Sequence, residues 1–138
     1  MKDRASLFAV AALVALTSCS SSKDLSAAED LVAKFHAAMT KQQYADILAQ
    51  CSEDLTKPDV APKFEVLLGA IGRKLGHVAE STRTAWRVNY GTGGEQVTLE
   101  YQTKFEKGSG IEDFVYVISN GKMLLSGYHI NSDELIIN

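Results

Sequence analysis

The sequence predicts an α+β fold in which N-terminal helices pack on a four-stranded antiparallel meander sheet. Three observations carry this. Apolar residues recur at helical spacing as far as Leu75, and after Gly76 the spacing changes to two. The strand-like stretches are joined by short turn signals rather than by further helices, as a meander requires. Helices first and strands later argue for α+β rather than an alternating α/β arrangement. At 138 residues the chain has room for one domain and one core.

The helices are read in chain order. Residues 20–25 are polar, "SSSKDL", and read as a flexible tether. Ser26 and Glu29 have the spacing of a capping box. Leu31, Val32, Phe35, Ala38 and Met39 then mark one buried helix face, with Lys34, Lys41 and Gln42 on the wet side. A break is expected near Lys41, where Thr40 and Gln43 offer a second capping box for a short helix holding Tyr44, Ile47 and Leu48. Residues 52–62 contain Pro58, Pro62 and several polar residues, and read as a loop. A further helix starts near Pro62, with Phe64, Leu67, Leu68, Ile71 and Leu75 as its face and Gly76 as its stop. Gly69 and Gly72 inside it either permit close packing on the sheet or weaken the helix.

The strands follow. Trp86, Val88 and Tyr90 alternate with Ala85, Arg87 and Asn89, and residues 91–94, "GTGG", read as a turn. Val97, Leu99, Tyr101, Thr103 and Phe105 alternate with polar residues, the pattern of a strand buried on one face. "KGSG", residues 107–110, is expected to close it. "DFVYVIS", residues 113–119, is apolar throughout and reads as a central strand covered on both faces. Asn120-Gly121 is a two-residue hairpin signal, and residues 122–130 return as the last strand. Residues 131–138 give no clear pattern.

The N-terminus carries an address. Lys2 and Arg4 precede "LFAVAALVAL", residues 7–16, an apolar run about half the roughly 20 residues a membrane span needs. That is the length of a signal-peptide hydrophobic region. Leu16-Thr17-Ser18-Cys19 closes it and resembles the lipobox of bacterial lipoproteins: an aliphatic residue, two small residues, then Cys. The resemblance implies cleavage after residue 18, a diacylglycerol on the Cys19 thiol, and acylation of the new amino terminus. It assigns residues 1–18 to a signal peptide, 19–25 to the lipidated cysteine and tether, and 26–138 to one domain. Ser20, where an Asp marks inner-membrane retention in Gram-negative lipoproteins, implies sorting to the outer membrane, facing the periplasm, if the organism has one. Cys19 is then unavailable for a disulfide, and Cys51 stands as a lone thiol with the character of a small buried hydrophobe.

A second resemblance concerns the domain. The element order is similar to that of the cystatin-like group, which includes nuclear-transport-factor-two-like domains. "NGKMLLSGYHI", residues 120–130, resembles the last hairpin of small bacterial lipoproteins of this type. Gly127, Tyr128 and Ile130 match, while Met123 stands where an aromatic is expected. The group includes enzymes, binders and dimerisation modules, so the fold does not choose a function. Its isomerases and dehydratases place an Asp, or an Asp–His pair, beside Tyr donors in a cone between sheet and helices. Asp46, Tyr44, Tyr101, Tyr116 and Tyr128 are the residues available here.

Function classes narrow by exclusion. A net charge of −3 without a basic cluster speaks against nucleic acid. His36, His77 and His129 show no ligand spacing, so no metal site or cofactor is expected. Residues 91–95 lie between strands, so their glycines are turn chemistry rather than a phosphate loop. No nucleophile motif is present, and no catalytic residue is assigned. Asp113, at a strand start, suits a cap or turn. The expectation is a lipid-anchored envelope protein presenting a non-enzymatic binding domain. Its partners would be the membrane, through Cys19, and a second copy or an envelope protein. Tyr44, Trp86, Tyr101 and Tyr128 are the candidate ligand-binding residues. The alternatives are a small apolar-ligand carrier and an acid–base enzyme, both using the cone.

Overall fold

The computed structural model describes residues 19–137, with side chains from residue 22 onward. The signal-peptide reading of residues 1–18, and with it the first three residues of the lipobox, lies outside the described residues. The chain runs α1 (Cys19–Thr40), α2 (Tyr44–Leu48), α3 (Glu53–Thr56), α4 (Ala61–Leu75), β1 (Val78–Gly91), β2 (Gly94–Phe105), β3 (Gly108–Ser119), β4 (Lys122–Asn131) and α5 (Asp133–Ile137). The strands form one antiparallel sheet in the order β1-β2-β3-β4, the meander that the turn spacing predicts.

Helix α1 is longer than the sequence implies. Residues 20–25 are helical, so they are not a flexible tether, and Ser26 lies inside the helix rather than at its cap. Leu25, Ala28, Leu31, Val32, Phe35 and Ala38 repeat at three- and four-residue intervals and lay one face on the sheet. The helix ends at Thr40, and Gln42, at φ 56°, turns the chain. The second helix is capped from Gln43 without a side-chain bond, so the expected Thr40–Gln43 box does not form. Glu53–Thr56 is a helical turn within the stretch read as loop; the acidic Glu53 and Asp54 in its first turn favour it.

Helix α4 buries Phe64, Leu68, Ile71 and Leu75, but Leu67 lies outside this face. Gly69 and Gly72 face Tyr44: a Cβ would meet its ring at 4.0 Å and its hydroxyl at 3.2 Å. They permit close approach to α2, not to the sheet. Gly76 ends α4 at φ 76°, ψ −156°, a region essentially restricted to glycine.

Strand β2 follows its alternation completely: Val97, Leu99, Tyr101, Thr103 and Phe105 are all buried. Asn120 and Gly121 both take positive φ, 51° and 74°, as a type I′ turn requires. The β2–β3 turn is Glu106-Lys107, and residues 108–110 already belong to β3. Strand β3 is central, but among the described residues only one of its faces is covered. Phe114 and Tyr116 enter the core, while Val115 and Val117 on the other face join neither hydrophobic cluster. Asp113 is mid-strand, opposite Glu100 and His129, and so is not a cap. Residues 50–52 close over β4 through Ser52 N–H to Leu125 O, 2.8 Å, and Leu125 N–H to Gln50 O, 3.0 Å. Among the described residues no segment bridges to the other edge, β1.

Candidate functional site

Among the described residues the interior holds one carboxylate. Glu112 on β3 follows the parity of Phe114 and Tyr116, so its side chain enters the core with them and is 1% exposed. A buried carboxylate is costly unless donors surround it. Three do: Tyr128 from β4 donates its hydroxyl to Oε1 at 2.7 Å, Thr103 from β2 donates to Oε2 at 2.6 Å, and His36 from α1 places Nε2 at 2.8 Å from Oε2. Because the Thr103 proton is spent on Glu112, Ser81 of β1 donates to Thr103 at 3.0 Å. One carboxylate thus joins α1 to all four strands, directly or through Thr103.

Aromatic rings seal it. Phe114 lies at the centre, with Tyr128 at 5.2 Å, Phe35 at 5.1 Å, His36 at 5.7 Å and Tyr101 at 5.9 Å between centroids. Burial, reinforced by the charge of Glu112 and the bond to it, holds the Tyr128 hydroxyl well above its usual pKa, so it remains a donor. Tyr116 and Tyr101 are raised too, chiefly by burial. Between helices and sheet, the space lined by Leu31, Phe35, Ile47, Gln50, Tyr116 and Leu125 holds about 10 Å³, at the lower limit for a single water.

Of the sequence candidates, Tyr101 and Tyr128 meet at Phe114 beside Glu112. Tyr44 is set apart, packed against α4, and Trp86 stands half out of the molecule on β1. They do not share a cavity. Asp46 is exposed on α2. His77 and His129 are exposed, and only His36 engages another side chain in the core. Among the described residues no group of His, Cys, Asp and Glu is placed to hold a metal ion. Cys51 is buried and free, donates to Ile47 O at 3.2 Å, and has its pKa pushed up to about 11 by burial. Sequence reasoning missed Glu112. The signal was its parity: Glu112, Phe114 and Tyr116 fall on one face.

The outer face of the sheet is the contrasting surface. Val117 pairs with Leu124, and Val115 with Gly127, giving a half-buried apolar strip on the two last strands. Gln96 and Thr98 flank it on one side; Glu100, Asp113 and His129 cross one end. None of these residues belongs to a hydrophobic cluster with the helices. No helix among the described residues is long and apolar enough to cross a membrane. Compared with protein-family models, with curated proteins and with solved structures, the chain matches none.

Proposed function

We propose that the protein is a lipid-anchored protein of a bacterial cell envelope that holds a small non-enzymatic binding domain at a membrane surface. The anchor rests on Leu16-Thr17-Ser18-Cys19 and the apolar run before it. Two or three acyl chains on one cysteine hold a protein far longer than one, at about 0.8 kcal/mol per buried methylene.

The observation that carries the binding role is the contrast between the two faces of the sheet. The inner face is filled and its carboxylate is fully engaged by His36, Thr103 and Tyr128. The carrier and acid–base alternatives need room beside those groups, and the gap between layers is about 10 Å³. Among the described residues nothing covers the outer face, and its Val115–Val117–Leu124 strip rimmed by polar side chains has the make-up of a protein-contacting patch. Its partner in this reading is another protein surface, with a second copy of the chain as the simplest case.

The anchor is tested by mass spectrometry and fractionation. Protein purified from membranes should begin at Cys19 and carry acyl mass, and Cys19→Ser should leave the membrane fraction. Membrane-bound Cys19→Ser would refute the anchor. A photo-crosslinker at Val117 should capture protein, whereas one at exposed Glu65 on α4 should not; equal capture at both refutes the outer-face role.

A further inference from the structure

Helix α1 runs unbroken from Cys19 to Thr40, so no flexible linker separates the proposed lipid site from the domain. The side of the domain flanking the first turns of α1 is therefore held at the bilayer. Its composition is specific. On β1, the residues paired with the core row of β2 are Arg83, Trp86 and Val88, opposite Tyr101, Leu99 and Val97, and Tyr90 follows opposite Glu95. Val88 packs onto the core, but Trp86 and Tyr90 are left 47% and 72% exposed.

The two elements run side by side. His36 connects through Glu112 and Thr103 to Ser81, and seven residues earlier on the helix Glu29 Oε1 accepts from Arg83 Nε at 3.0 Å. Moving along β1 from Ser81 to Arg83 thus follows α1 back from His36 to Glu29, toward Cys19, and Trp86 and Tyr90 lie further along that direction. Glu29 lies about 15 Å from Cys19 along the helix axis. Trp86 is about 13 Å from Tyr90 along the strand. The interfacial layer on one side of a bilayer is only about 5–7 Å deep, so both rings reach it only if β1 lies obliquely along the surface.

We infer that the domain rests on its β1 flank, with Trp86 and Tyr90 seated in the interfacial layer of the membrane that holds Cys19. Trp and Tyr favour that layer because each joins an apolar ring to a polar tip. The flank carries no basic excess: Arg83 pairs with Glu29, and Arg87 shares the cleft beside Trp86 with Glu100 and Asp113. Contact therefore depends on the rings and not on anionic lipid, and salt does not release it. This orientation also points the β1 edge at lipid headgroups instead of at another sheet edge. The inference rests on acylation of Cys19.

Trp86 is the sole tryptophan, so its fluorescence reports on this flank alone. The acylated protein, its acyl mass confirmed, is reconstituted in neutral phosphatidylcholine vesicles with bromine near the headgroup end of the acyl chains. Emission should shift to shorter wavelength relative to Cys19→Ser protein in buffer and be quenched by the brominated lipid. High salt should leave quenching unchanged, and Tyr90→Ser should reduce it. Acylated protein with unquenched Trp86 overturns the inference and leaves the anchor standing. Protein without acyl mass overturns both. Short-wavelength emission from Cys19→Ser without vesicles also overturns the inference, because protein, not lipid, then covers the ring.

Discussion

Glu112 and Cys51 show how burial assigns work to single side chains. Truncating Glu112 to Ala would strand three donors, Tyr128, Thr103 and His36, inside the core. Breaking such a buried network costs about 3–5 kcal/mol, a large part of the stability of a small domain. Urea unfolding of Glu112→Ala should show that loss, and Glu112→Gln a smaller one, since its amide oxygen still accepts. A wild-type midpoint for Glu112→Ala would contradict the network. Cys51 sets a pH dependence. With its pKa raised from 9.0 to about 11, the folded protein holds the thiol proton more tightly than the unfolded chain does. The stabilising contribution is complete below about pH 9 and fades as pH rises through about 11. Iodoacetamide should modify Cys51 slowly at pH 8 until urea is added, and Cys51→Ala should flatten the fall in urea midpoint between pH 9 and 11. The sequence displayed Cys51 as a buried hydrophobe but hid Glu112, because a carboxylate ahead of an apolar run looks like the edge of a strand. Its donors come from residues 36, 103 and 128, and no local pattern links them.

At the scale of elements, what was local was legible. Strand β2 needs only its own alternation, and the Asn120-Gly121 turn only its own two residues, so both follow from the sequence. Gly76 was also legible as a stop, and its ψ of −156° sharpens the reason. A Cβ there would sit 2.6 Å from Glu106 Oε2, in a backbone region that side chains avoid. Gly76→Ala should cost about 1–3 kcal/mol in urea unfolding; a neutral substitution would mean that the α4–β1 junction relaxes. What the elements hid was extent. The Ser26–Glu29 spacing imitates a helix start inside a helix that already includes residues 19–25. The apolar Val115 and Val117 make strand β3 read as covered on both faces, yet among the described residues its second face carries no layer. Apolar composition reports a preference for cover, and the cover need not come from the same chain.

Across the whole molecule, the fold class was open to sequence reading because it depends on order, and order is visible. The candidate surfaces were less so. Tyr44, Trp86, Tyr101 and Tyr128 were grouped by residue type, but the fold sends two inward, one against a helix and one outward. The meander also sets the sequence of folding events. Every strand pairs with the one just before it, so the sheet can zip through two- and three-strand intermediates, each closing a short loop. Docking α1 is different, since the His36–Glu112 contact spans 76 residues. Non-local closure is the slow kind, and it rewards the chain late. The His36–Glu112 contact should therefore be absent from the folding transition state, with His36→Ala accelerating unfolding while leaving the folding rate nearly unchanged in stopped-flow measurements. A slowed folding limb would place the helix in the nucleus. On this order of events, His36 acts as a bolt: it closes last and sets the lifetime of the closed molecule.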